Sequence, residues 1–191
     1  MNQKEAPLRH PFIAERENSL LLLIDIQKAM LKVIDSWKEI VGRTVQLIRS
    51  ATLLEIPILV TEHYRKGLGE TIPEVSGELQ KAVFFQKEFF SSCLEEDFLQ
   101  TVSRFNRPKI VVAGMETHVC VLQTGLDLIQ AGYRVQVVKD AVGSRNKEDW
   151  ETAIEIFRDA GAVITTAEAV IFQWACRSNT DDFRKILPLV K

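Results

Sequence analysis

The chain has 191 residues, 46% of them hydrophobic, with 24 Lys and Arg against 26 Asp and Glu, a formal net charge of −2 at pH 7. That is enough apolar material for one domain, expected to span residues 1–191, and it offers no cationic field of the kind that gathers nucleic acid. Three cysteines without a C-x-x-C pair argue against a disulfide framework and a structural zinc site, so reduced thiols in the cytoplasm are expected.

The first apolar run, "SLLLLID" from Ser19, is too short to cross a bilayer, and acidic residues precede it where a signal peptide needs positive charge. No membrane partner is expected. The run reads instead as a strand buried on both faces, as do "PILVTE", "AVFFQ", "KIVVAG", "RVQVVKD" and "AVITTAE" further along. A helix over "WKEIVGRTVQLIRSATLLE" follows the first strand. A second over "VCVLQTGLDLIQAG" repeats Val121, Leu122, Leu126 and Ile129 at helical spacing and ends at Gly132; a third, "KEDWETAIEIFRDAG", ends in the same way at Gly161. Six strands alternating with helices predict an α/β fold, a three-layer α/β/α sandwich with a mainly parallel six-stranded sheet and ligands at the carboxyl ends of the strands. The first eighteen residues and the tail from about Arg177 read as wrapping segments or oligomer contacts.

The strand-end rule gathers three residues. Asp25 ends the first run, Lys87 follows "VFFQ", and Cys120 follows "IVVAG" by one turn. Taken singly, each has a structural reading as turn aspartate, solvated lysine or core thiol, and spacing alone leaves Cys120 open between core and nucleophile.

"LLLIDIQKAML", "FQKEFF" and "VVAGMETHVCVLQTGLDL" together resemble the three signature regions of the isochorismatase-like cysteine hydrolases, a family that includes nicotinamidases and N-carbamoylsarcosine amidase. With "TEHYRKGLGETIPEV" added, the resemblance is to the isochorismatase domain-containing branch and runs from about Leu20 to Thr166. It implies a catalytic triad of Asp25, Lys87 and Cys120, an oxyanion hole from the backbone N–H groups of Glu116 and Cys120, and a cis peptide between Met115 and Glu116. The implied chemistry is attack on a small amide or related carbonyl compound, an acyl-enzyme thioester, and hydrolysis. A helix N-terminus and Lys87 are expected to lower the Cys120 pKa, with Asp25 as proton acceptor.

Nicotinamidases hold a divalent ion with histidines after the second strand. This chain has only His10, His63 and His118, too few for such a site, so neither metal nor organic cofactor is expected. His63 and Tyr64 are expected at the pocket mouth, Phe89 as an apolar wall and His118 as a positioning group, while Phe84, Phe85 and Phe90 are assigned mainly to packing. "SSCLEE" reads as a capping box from Ser92 to Glu95 that places the rival thiol Cys93 among carboxylates. Cys176 sits near a helix end. Trp174, Phe183, Ile186, Leu187 and Leu189 near the C-terminus suggest a homo-oligomer. Competing with the hydrolase are a thiol-based redox or ligand-binding protein and a non-enzymatic assembly protein.

Overall fold

The computed structural model describes residues 9–190; the expectations for the wrapping segment at residues 1–8 lie outside the described residues. The strands are β1 (Ser19–Ile24), β2 (Ile58–His63), β3 (Val83–Lys87), β4 (Lys109–Met115), β5 (Arg134–Gly143) and β6 (Val163–Thr165). The helices are α1 (Trp37–Leu53), α2 (Arg65–Leu68), α3 (Pro73–Ser76), α4 (Phe98–Arg104), α5 (Leu122–Gln130), α6 (Lys147–Asp159), α7 (Ala167–Ala175) and α8 (Asp181–Val190). The strands form one sheet in the order β3-β2-β1-β4-β5-β6, and every neighbouring pair is parallel.

The continuous apolar runs are explained by layers on both sides. Leu20, Leu22 and Ile24 of β1 pack with Phe98, Val121, Leu128 and Phe157 on one face. Leu21 and Leu23 point the other way, toward Leu47, Ile48, Val170 and Trp174. Each such side chain contributes about 1.5–3 kcal/mol by leaving water. β3 departs from the expected double burial: it is an edge strand, and Val83 and Phe84 are 42% and 46% exposed.

α5 also departs from its expected face. Of the expected face Val121, at the entrance to the helix, is fully buried; along α5 itself Thr124, Gly125 and Leu128 are the buried residues, whereas Leu122, Leu126 and Ile129 pack only partly, on its flank. The chain enters α5 through a π-helical turn, Thr117–Val121, and from Val121 onward the buried stripe keeps ordinary i, i+3, i+4, i+7 spacing. Gly132 and Gly161 take the left-handed conformations expected after α5 and α6, with φ of 92° and 91°.

The tail is part of the fold. α8 packs on α1 and α7, with Ile186 fully buried. Upstream, Lys109 Nζ donates to the Ile13 carbonyl at 2.5 Å and Gln136 Nε2 to that of Phe12 at 2.7 Å, fastening the described N-terminal segment across β4 and β5. Among the described residues no helix is long and apolar enough to cross a membrane. Because β2 and β3 lie to one side of β1, and β4, β5 and β6 to the other, the strand order reverses between β1 and β4. Parallel α/β sheets open a crevice at such a point, beyond the strand carboxyl ends.

Candidate active site

Asp25 leaves β1 with φ 54° and donates its N–H to the Thr61 carbonyl at 3.2 Å. Its Oδ1 accepts from Thr61 Oγ1 at 2.7 Å, and its Oδ2 lies 2.7 Å from Lys87 Nζ. The Lys87 side chain is 0% exposed, and Nζ also donates to the Phe89 and Phe90 carbonyls, each at 3.2 Å. Three oxygens thus surround the buried Nζ, and each contact offsets part of its desolvation cost. Asp25 Oδ2 has no aligned hydrogen-bond donor, which leaves it a lone pair for a proton from elsewhere.

Cys120 is the thiol beside it. It is 6% exposed, lies in the π-helical turn, and feels both Asp25 and Lys87 directly. Burial first, then the charge on Asp25, push its thiol up to about 12, against the smaller opposing effect of Lys87. The expectation of a depressed pKa is reversed chiefly because burial disfavours the charged thiolate, and secondly because the Asp25 charge outweighs that of Lys87 at sulfur. The resting group is a thiol.

The turn after β4 is also built differently from expectation. There is no cis peptide among the described residues, and Met115–Glu116 is trans. Reversal is achieved instead by Gly114 at φ 154° and Glu116 at φ 60°. A Cβ on Gly114 would lie 2.3 Å from the Ile24 carbonyl oxygen, so only glycine lets β4 approach the residue before Asp25 this closely.

Asp25 and Cys120 open onto a cavity of about 550 Å³, walled by Met30, Leu68, Phe90 and Val119 and also lined by His63, Glu116 and Arg145. His63 thus lines the cavity. Its ring stands 5.3 Å from that of Phe90, and burial followed by the Lys87 charge lowers its pKa. Tyr64, Phe89 and His118 are not on this wall. Tyr64 is 53% exposed and begins α2 in a left-handed conformation with φ 37°. Phe89 is 52% exposed and contributes its carbonyl to Lys87, while the neighbouring Phe90 lines the pocket. His118 turns toward α6, with Nδ1 2.9 Å from Ser144 Oγ and Nε2 3.7 Å from Asp149. A larger cleft of about 860 Å³, lined by Arg43, Lys139, Asp140 and Trp150, shares Arg145 with the first cavity but contains none of the three central residues.

Four residues that sequence reasoning passed over shape the site. Thr61 orients Asp25. Gln27, fully buried, donates to the His63 and Gly69 carbonyls at 3.0 and 2.6 Å and accepts from the His63 N–H at 2.8 Å. Glu62 accepts from the Thr71 N–H and hydroxyl at 2.7 and 2.8 Å. These bonds hold the loop bearing Leu68 across the cavity. Arg145 pairs with Glu116, Nε to Oε2 at 3.0 Å. The one signal in sequence was the polar Gln27 directly after the first buried run.

The other thiols are separate. Cys93 is half-buried, and burial followed by the Asp127 charge pushes it up to about 12. Its helical turn is capped by Ser91, not Ser92, while Glu95 accepts from the N–H groups of Glu88 and Phe89. Cys176 is exposed at the end of α7, 3.4 Å from Arg9 Nη1. Among the described residues no group of three or more His, Cys, Asp or Glu is placed to hold a metal ion.

A parallel α/β sheet with a buried cysteine, aspartate and lysine meeting at its switch point defines a class of small α/β domains with a strand-end pocket. Residues 19–169 match the isochorismatase domain, and the chain belongs to the isochorismatase family, a class of hydrolases. It is 37% identical over 175 residues to isochorismatase family protein 1A of Dictyostelium discoideum, covering 90% of this chain and 85% of that protein. It is 34% identical over 173 residues to isochorismatase domain-containing protein 2 of Xenopus laevis, covering 91% and 83%. A solved structure described as MAR1 ribonuclease from Caenorhabditis elegans superposes with a TM-score of 0.87 at 36% identity, covering 93% of this chain and 91% of that one.

Proposed function

We propose that the protein is a cysteine hydrolase of a small amide or related carbonyl compound, working through an acyl-enzyme thioester without metal or organic cofactor. The observation that carries this reading is the buried Lys87–Asp25 contact of 2.7 Å beside the Cys120 thiol, at the mouth of a cavity of substrate size. As the substrate carbonyl arrives, the Cys120 proton passes to Asp25 Oδ2 and sulfur forms a bond to the carbonyl carbon. Lys87 remains charged and favours the anion now spread over sulfur and oxygen. The N–H groups of Glu116 and Cys120 take the role of oxyanion donors. Asp25 returns the proton to the leaving nitrogen as the C–N bond breaks, then takes one from the water that attacks the thioester and hands it to the Cys120 sulfur as the C–S bond breaks and the acid departs.

The test is a panel of small amides and carbamoyl compounds with intact-mass detection of the acyl-enzyme. Turnover together with a mass adduct that maps to Cys120 and is lost in Cys120→Ser is expected. Consumption of a substrate by Cys120→Ser at the wild-type rate would sink the mechanism. Ribonuclease activity, the description carried by the nematode protein, is not part of this reading: binding of phosphate calls for unpaired cations, and Lys87 and Arg145 are each matched by a carboxylate. The protein also acts as a homo-oligomer in this reading, since Val83, Phe84, Phe89, Phe90 and Leu94 expose apolar surface on and beside the unpaired edge of β3.

A further inference from the structure

The charges around the cavity cancel in pairs. Asp25 is matched by Lys87, and Glu116 holds Arg145 by two contacts, 3.0 Å to Nε and 3.3 Å to its backbone N–H. His63 is kept uncharged by burial and by Lys87, and its Nδ1 is buried without a hydrogen-bond partner. Ala29, Met30, Val33, Leu68, Phe90 and Val119 supply the remaining wall. The Glu116 side chain is only 12% exposed, so the carboxylate and the guanidinium it holds stand together at this wall. The Arg145 side chain is itself 54% exposed and is held through Nε alone, but the Glu116 carboxylate beside it matches its charge, so an anionic substrate would meet a carboxylate along with the guanidinium.

Resting on the hydrolase reading, we infer that the pocket selects an uncharged substrate, an amide whose acyl group is small, mainly apolar and free of carboxylate, and that the Glu116–Arg145 pair is the filter that turns anions away. An open guanidinium would attract a carboxylate. A paired one offers it no net charge.

Iodoacetamide and iodoacetate test this, since they are close in size and alkylate by the same step: a sulfur–carbon bond forms, iodide leaves and the thiol proton is released. The rate of each at Cys120 is followed by peptide mapping, and their ratio in the folded protein is compared with that at the same cysteine in urea. The ratio is expected to favour the neutral reagent by about tenfold more in the folded state than in the unfolded one. Glu116→Gln, which leaves Arg145 unpaired, should bring the ratio to or below the unfolded value. Arg145→Gln, which leaves Glu116 unopposed, should raise it further, and these opposite shifts separate a charge filter from a loss of packing. Equal ratios in folded and unfolded protein, or Glu116→Gln without effect, would overturn the inference. On the amide panel, butyramide should be cleaved in preference to succinamate. A panel with no amide consumed would defeat the hydrolase reading while leaving the alkylation ratio intact as a measure of the filter.

Discussion

Asp25 does its work only if its lone pairs are assigned, and Thr61 assigns them. With Oδ1 held by the Thr61 hydroxyl at 2.7 Å and Oδ2 beside Lys87, the carboxylate cannot rotate away from the sulfur. Thr61→Val keeps the shape and removes the donor, leaving a buried acceptor unpaired at a cost of about 1–3 kcal/mol; turnover should fall at least severalfold, with Thr61→Ser restoring it, as measured by steady-state kinetics. The Cys120 thiol, pushed up to about 12, gains thiolate by a factor of about ten per pH unit below its pKa. Alkylation of Cys120 by iodoacetamide should therefore climb steeply from pH 7 to pH 9 with no plateau. Cys176, which is exposed, should be modified before it at pH 7. A plateau for Cys120 near pH 8 would mean that the thiolate is already formed at rest, the state expected from the sequence.

Among the elements, the β1–β4 contact is the tightest constraint on the site. Gly114→Ala would place a Cβ 2.3 Å from the Ile24 carbonyl, and backbone oxygen has no rotamer to yield. A loss of more than about 2 kcal/mol of stability is expected in urea unfolding, along with loss of Cys120-dependent activity. The strands were legible in the sequence because Leu20 to Ile24 are buried on both faces and therefore read as an unbroken run. β3 was legible as a strand but not as an edge, since "VFF" has the same hydropathy whether a neighbour covers it or solvent does. The π-helical turn was invisible for a related reason: its extra residue per turn leaves no mark on composition, and the buried face of α5 was missed because Thr124 and Gly125, which occupy it beside Val121 and Leu128, do not register in an apolar count.

For the molecule as a whole, the strand-end rule made Asp25, Lys87 and Cys120 readable as neighbours, because parallel order places β1, β3 and β4 carboxyl ends on one edge. Gln27, Thr61 and Arg145 stayed hidden since their partners, Gly69, Asp25 and Glu116, are 42, 36 and 29 residues away in sequence. The exposed phenylalanines of the β3 region predict self-association. Light scattering at micromolar concentration should give a mass at least twice 21.7 kDa, and Phe84→Glu, which charges the edge, should reduce it. Lys87 belongs to this same strand, whereas Asp25 and the cysteine follow the central pair β1 and β4. An edge strand opens at lower free energy than the middle of a sheet. Lys87 is thus the one of these three residues most easily lost to local fluctuation, and hydrogen exchange should be faster along Val83–Lys87 than along Lys109–Met115. In rising urea, activity should disappear before the helical circular dichroism signal does, and raising protein concentration, by pairing the edge, should bring the two transitions together.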